Sequence, residues 1–135
     1  MITPERVAIN LDDAAFPDND GQQPIDSIII ENGPSAYFSS LPIKVIVKSI
    51  QEAGLPVTVS NTAGTYVCNH LMYGVMHCLA CEYPSTIGGF IHVPYIPQQA
   101  IGKPAATPSM SLDNIVRGME AALDAIVQAV CANSV

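Results

Sequence analysis

The stretch that most limits the possible folds is residues 57–73, VTVSNTAGTYVCNHLMY. Val57, Thr58 and Val59 are β-branched and suit a buried strand. Asn61 to Thr65 supply turn chemistry, and Gly64 allows a backbone conformation that a residue with Cβ resists. From Cys68 onward, Leu71, Met72, Val75, Met76 and Leu79 recur at helical spacing. Strand, tight turn and helix therefore follow one another, with Cys68 at the turn-to-helix junction. A thiol placed there meets unpaired N–H groups and the positive end of the helix dipole, which favour negative charge on sulfur. A cysteine in apolar sequence is also a common small core residue, so the junction alone does not make a nucleophile.

A second stretch supplies the partner that such a nucleophile requires. In residues 88–97, GGFIHVPYIP, His92 ends an apolar strand, and Pro94 and Pro97 stop regular structure after it. A histidine at a strand end and a thiol at a helix start fit the Cys–His logic of an activated nucleophile.

Three blocks, ITPERVAINLDDA, SNTAGTYVCNHLMYG and GGFIHVPYIPQQ, resemble the signature blocks of the type I pyroglutamyl peptidase (pyrrolidone-carboxylate peptidase) family. The resemblance implies a cysteine peptidase that removes N-terminal pyroglutamyl residues from peptides and needs no cofactor or metal. Carried over block by block, it puts the nucleophile at Cys68, the base at His92 and the orienting carboxylate at Glu5. Tyr66 and Val67 take the positions of the apolar wall that holds the lactam ring, and Phe16 offers a flat face to it. This block departs from the family: where the family commonly reads DARIPDN, this chain reads DAAFPDN, so Ala15 replaces an arginine and Phe16 an aliphatic residue. Members of the family carry a glycine-rich GFDPFGG-like loop and further strands ahead of the glutamate block. The resemblance is therefore expected to cover only the C-terminal part of the family's chain. The expected fold is a three-layer αβα sandwich with a mostly parallel sheet that lacks the family's N-terminal strands. Residues 1–135 are read as a single α/β peptidase domain, truncated at its N-terminal side. An unpaired sheet edge and open apolar surface would then favour a homo-oligomer.

Composition narrows the function classes. The 135 residues suit one domain; 49% are apolar and 13% charged. The formal charge is −7 with five Lys and Arg, which argues against nucleic acid and anionic membrane surfaces as partners. No apolar run reaches membrane-spanning length, and MITPERVAIN has no features of a secretory signal. A cytoplasmic setting with reduced Cys68, Cys78, Cys81 and Cys131 follows as the expectation. Cys78 and Cys81 form C-x-x-C beside His70 and His77, but mid-helix and with no second pair at zinc-module spacing. His70 and His77 are poorer bases than His92, because their helical offsets from Cys68 point them elsewhere.

The remaining chain reads as alternating strands and helices, the pattern of an α/β fold. Residues 6–11, RVAINL, suggest a short buried strand. Residues 12–34 are rich in turn formers, with SIIIE at 27–31 as a returning strand. Residues 40–53 form an amphipathic helix capped by Ser40 and stopped at Gly54, and residues 87–93 a strand. Residues 94–108 are a proline-rich loop. Residues 111–130 form a helix capped by Ser111 whose stripe of Leu112, Ile115, Val116, Met119, Leu123, Ile126, Val127 and Val130 should cover a sheet. Three functional readings stay open on the residues: a pyroglutamyl peptidase, a catalytically silent α/β binding or assembly module that keeps the triad residues, and a metal or redox protein built on Cys78 and Cys81.

Overall fold

A computed structural model describes residues 1–132 of the chain. Its elements in order are β1 (Thr3–Pro4), β2 (Val7–Ile9), β3 (Ala36–Phe38), α1 (Ile43–Glu52), α2 (Val67–Glu82), β4 (Ile91–His92), α3 (Pro97–Ala100) and α4 (Leu112–Ala132). They divide into two compact units. The first holds Met1–Pro4, Pro42–Val59 and the chain from Ile91 onward; the second holds Glu5–Leu41 and Ser60–Phe90.

The first unit is built on two helices. α1 buries Ile43, Ile46 and Ile50 on one stripe and leaves Lys44, Lys48, Gln51 and Glu52 exposed. α4 packs against it through Ile115, Gly118, Ala122 and Ala125. Ser49 of α1 donates to the Ala121 carbonyl of α4 at 2.9 Å, and the same face makes room for Ile2, whose side chain a Cβ at Gly118 would run into. Of the large apolar residues expected to cover a sheet, Ile115 is buried here, whereas Leu112, Val116, Leu123 and Val127 are exposed. Arg117 donates to the Ala53 carbonyl at 3.0 Å, so α4 supplies the cation that the last turn of α1 lacks. Gly54 follows in the left-handed region at φ +77°, as a helix stop needs. β1 and β4 run antiparallel, with Thr3 opposite His92 and Pro4 opposite Ile91. Ile2 makes an isolated parallel bridge to Val57, and Tyr95 one to Ser109.

The second unit sets α2 on an antiparallel pair, β2 with β3, in which Ala8 faces Tyr37. Its core joins Ala8, Met72, Tyr73 and Met76 with the partly buried Ile29, Ile30, Tyr37, Leu79 and Phe90. Side chains bound to backbone hold the irregular segments. Asn10 Oδ1 accepts from the Ile29 and Ile30 N–H groups at 3.1 and 2.9 Å, and Tyr73 donates to the Pro34 carbonyl at 2.7 Å. The SIIIE segment is therefore pinned by a side chain, and its strand character is limited to a bridge between Asp12 and Ser27. Ser40, expected to cap α1, instead exchanges hydrogen bonds with Gly88, and α1 begins at Ile43 with Pro42 at its cap.

The structure corrects the expected fold in two respects. N-terminal strands are present: β1 and β2 lie within the first nine residues, and each has a partner strand. The sheets are also not mostly parallel. Both ladders among the described residues are two-stranded and antiparallel, and parallel pairing occurs only as isolated bridges. Strand–helix alternation along the chain fixes element order but not which strands pair, and the partners here come from distant segments.

Candidate active site

The thiol of Cys68 sits in the first turn of α2, half-buried. Tyr66 precedes it in extended conformation, at φ −125° and ψ −154°, and no side chain caps the helix. The first N–H groups of α2 are thus not taken up by a capping oxygen, which leaves an anion-favouring environment at the sulfur's own turn. The turn before it is braced twice. Gly64 adopts φ +81°, and its N–H donates to Thr62 Oγ1 at 3.0 Å. Thr65 donates its hydroxyl to the Asp13 carbonyl at 3.0 Å and accepts from the Asp13 N–H at 2.7 Å.

Asn69, next to the thiol, was not singled out by the sequence reading. It is fully buried, accepts from the Ile9 N–H at 2.9 Å, and donates to the Ile9 and Leu11 carbonyls, both at 2.9 Å. One amide therefore ties the end of β2 to the turn of α2 that carries Cys68. The available signal was a carboxamide on the same helical face as Met72, Tyr73 and Met76, where such a group needs partners once buried.

Glu5 is 3% exposed in the second unit, where its N–H donates to the Phe90 carbonyl at 2.9 Å. A carboxylate so deeply placed is costly unless paired or functional. His92 lies in β4 of the first unit, half-buried. It lines a cleft of about 600 Å³ with Thr3, Pro94, Tyr95 and Gln99. Of the expected ring-binding residues, the structure brings Phe16 and Tyr66 together, edge to face at 5.4 Å and 72°. Phe16 and Val67 are both exposed, at 62% and 58%, free to receive a ligand's apolar surface. Tyr66 and Val67 also line a cleft of about 470 Å³ with Asp12, Gln22, Gln23 and His70. His70 Nδ1 lies 2.6 Å from Asp12 Oδ2. Among the described residues no group of three His, Cys, Asp or Glu side chains could hold a metal ion, and no helix is long and apolar enough to cross a membrane.

A family model described as pyroglutamyl peptidase matches residues 1–129. The chain belongs to the pyroglutamyl peptidase family. This corrects the expectation of a partial resemblance, since the match runs over nearly the whole chain and starts at its first residue. The pyrrolidone-carboxylate peptidase of Streptococcus suis is 57% identical over 127 residues, 94% of this chain and 59% of the relative. That of Clostridium perfringens is 58% identical over 126 residues, 93% of this chain and 59% of the relative. The crystal structure of pyroglutamyl peptidase I from Bacillus amyloliquefaciens superposes with a TM-score of 0.88 at 51% identity, covering 93% of this chain and 59% of that one. The pyrrolidone carboxyl peptidase from Thermococcus litoralis gives 0.91 at 42% identity, covering 98% and 62%. The chain thus spans about three fifths of the length of these relatives.

Proposed function

We propose that the chain acts as a cysteine peptidase on peptides that begin with pyroglutamate. The observation that carries the reading is the placement of Cys68: a half-buried thiol in the first, uncapped turn of α2, behind a braced glycine turn, in a chain of this family. Cys68 attacks the carbonyl carbon that joins pyroglutamate to the next residue. His92 takes the thiol proton and returns it to the departing amine, which leaves a thioester. Water then adds to the thioester with His92 again as base, and free pyroglutamate and the thiol are released. Glu5 orients His92 and stabilises its imidazolium form. N–H groups of the α2 start receive the oxyanion. The lactam ring rests on the exposed Phe16 and Val67 and the half-buried Tyr66, whose apolar surface suits a small neutral ring.

We place this chemistry in the cytoplasm, where the thiol of Cys68 stays reduced, and infer self-association through the exposed Leu112, Val116, Leu123 and Val127 of α4. Sedimentation velocity across a concentration series would give a homo-oligomer; a monomer throughout would remove that inference.

The activity is tested by release of aminomethylcoumarin from its pyroglutamyl amide. Release should occur and should vanish in Cys68→Ala and after thiol alkylation. Binding of a pyroglutamyl peptide without thiol-dependent release would contradict the peptidase reading and favour a silent binding module.

A further inference from the structure

The last turns of α2 carry a second thiol–imidazole pair, away from Cys68. His77 and Cys81 stand one helical turn apart, with Cys81 Sγ 3.6 Å from His77 Nε2. The other ring nitrogen, Nδ1, lies 2.9 Å from the Tyr37 hydroxyl, so both nitrogens are engaged and the ring is held in plane between them. Aromatic contacts fix it further: Tyr73 stacks on His77 at 6.3 Å and 14°, and Tyr37 meets it edge-on at 5.8 Å and 69°. Cys81 itself is exposed, so a reagent from solvent reaches the sulfur. The three groups form the same chain of roles as a nucleophile, a base and a base-orienting oxygen.

We propose that Cys81 is a second reactive thiol and a modification site for low-molecular-weight disulfides, with His77 as its base and Tyr37 as the residue that positions His77. The sulfur of Cys81 attacks one sulfur of the disulfide. A new S–S bond forms to Cys81, the reagent's S–S bond breaks, and the electron pair leaves on the departing sulfur. His77 takes the Cys81 proton at Nε2 and delivers it to that departing thiolate. Cys81 is oxidised and the leaving sulfur reduced, so no further oxidant is required. Throughout, the Tyr37 oxygen can accept from Nδ1–H of the imidazolium. Burial raises the Tyr37 phenol above its ordinary value, and Cys81 adds to the effect, so the phenol stays neutral in this role.

Cys78 is the internal control. It is exposed on the same helix, three residues earlier, and has no imidazole partner among the described residues. The full chain is treated with an aromatic disulfide, and site-resolved mass spectrometry gives the modification rate at each cysteine. Cys81 should react at least about a hundredfold faster than Cys78, the lower end of what a positioned base contributes. His77→Gln should abolish that advantage. Tyr37→Phe should reduce it while rates at Cys78 and Cys131 stay unchanged, which a loosened fold would not allow. Equal rates at Cys78 and Cys81 in the unsubstituted chain would overturn the proposal without any variant. A Cys81 advantage that survives His77→Gln would overturn the role of His77.

Discussion

The two units of this chain are held together by different means. The first relies on aliphatic packing: Ile2, Ile43, Ile46, Ile50, Leu55 and Ile115 fill its interior, and Gly118 of α4 makes room for Ile2. The second has a smaller apolar core, Ala8, Met72, Tyr73 and Met76, and it depends on polar side chains that reach into backbone: Asn10, Asn69, Tyr73 and Thr65. Aliphatic packing tolerates small shifts of position, because dispersion and burial are non-directional. Hydrogen bonds from fixed carboxamides do not. The unit that carries Cys68 is thus the one whose loops are fixed by direction as well as by contact.

Substitutions can break or sharpen this contrast. The largest effect is expected on chemistry: Cys68→Ala should lower turnover of a pyroglutamyl amide by at least about a thousandfold, with the melting temperature nearly unchanged. Next is Ile46→Ala, which opens a cavity in the first unit and should cost about 2–5 kcal/mol in denaturant unfolding. Hydrogen exchange should then rise in α1 and α4 more than in α2. Asn69→Ala should cost about 1–3 kcal/mol, because it strands the Ile9 N–H and the Leu11 carbonyl, whereas the Ile9 carbonyl keeps the Leu11 N–H. Its exchange pattern should be the reverse, centred on residues 9–11 and the start of α2, and turnover should fall more than in Ile46→Ala. Equal spread of exchange in both variants would dissolve the contrast between the units.

A pH dependence separates the units as well. Burial raises the phenol pKa of Tyr37 and Tyr73 above 10.0, with Cys81 and Tyr37 respectively as lesser causes. A raised phenol favours the neutral form in the folded state. The stability it contributes is full below the unfolded value near 10.0 and is lost as pH rises through the folded value. The second unit should therefore loosen first on alkaline titration, and Tyr37→Phe should flatten that slope. The smallest effect is expected from Ala15→Arg, on an exposed residue beside Phe16. Introducing the cation should raise kcat/KM by a few-fold, on the order of one solvent-exposed charge interaction.

How much was legible in the sequence differs between the units too. α1 and α4 were visible because Ile43, Ile46 and Ile50 repeat at helical spacing and Ser111 does cap α4, its Oγ accepting from the Asn114 N–H at 3.3 Å. The packed face of α4 was legible only in part: the apolar stripe includes the buried Ile115 but not Gly118, Ala122 and Ala125, which share its face. β3 was missed because Ala36–Phe38 follows a polar, proline-bearing stretch and its partner β2 lies almost thirty residues away in sequence. The junction at Cys68 was legible because turn, glycine and helix are local. Pairings such as Asp12 with His70 and Tyr37 with His77 were not, because they join residues 58 and 40 positions apart. No periodicity encodes such pairs; they appear only once α2 is laid on β2 and β3.

The central claim is that Cys68 forms a covalent bond to pyroglutamate during turnover. Rapid acid quenching of the chain with excess pyroglutamyl ester, followed by peptide mass spectrometry, tests it most directly. One pyroglutamyl group should appear as a thioester on Cys68 in the unsubstituted chain and should be absent in Cys68→Ala. Turnover with no acyl group on Cys68, or with the group on another cysteine such as Cys81, would contradict it.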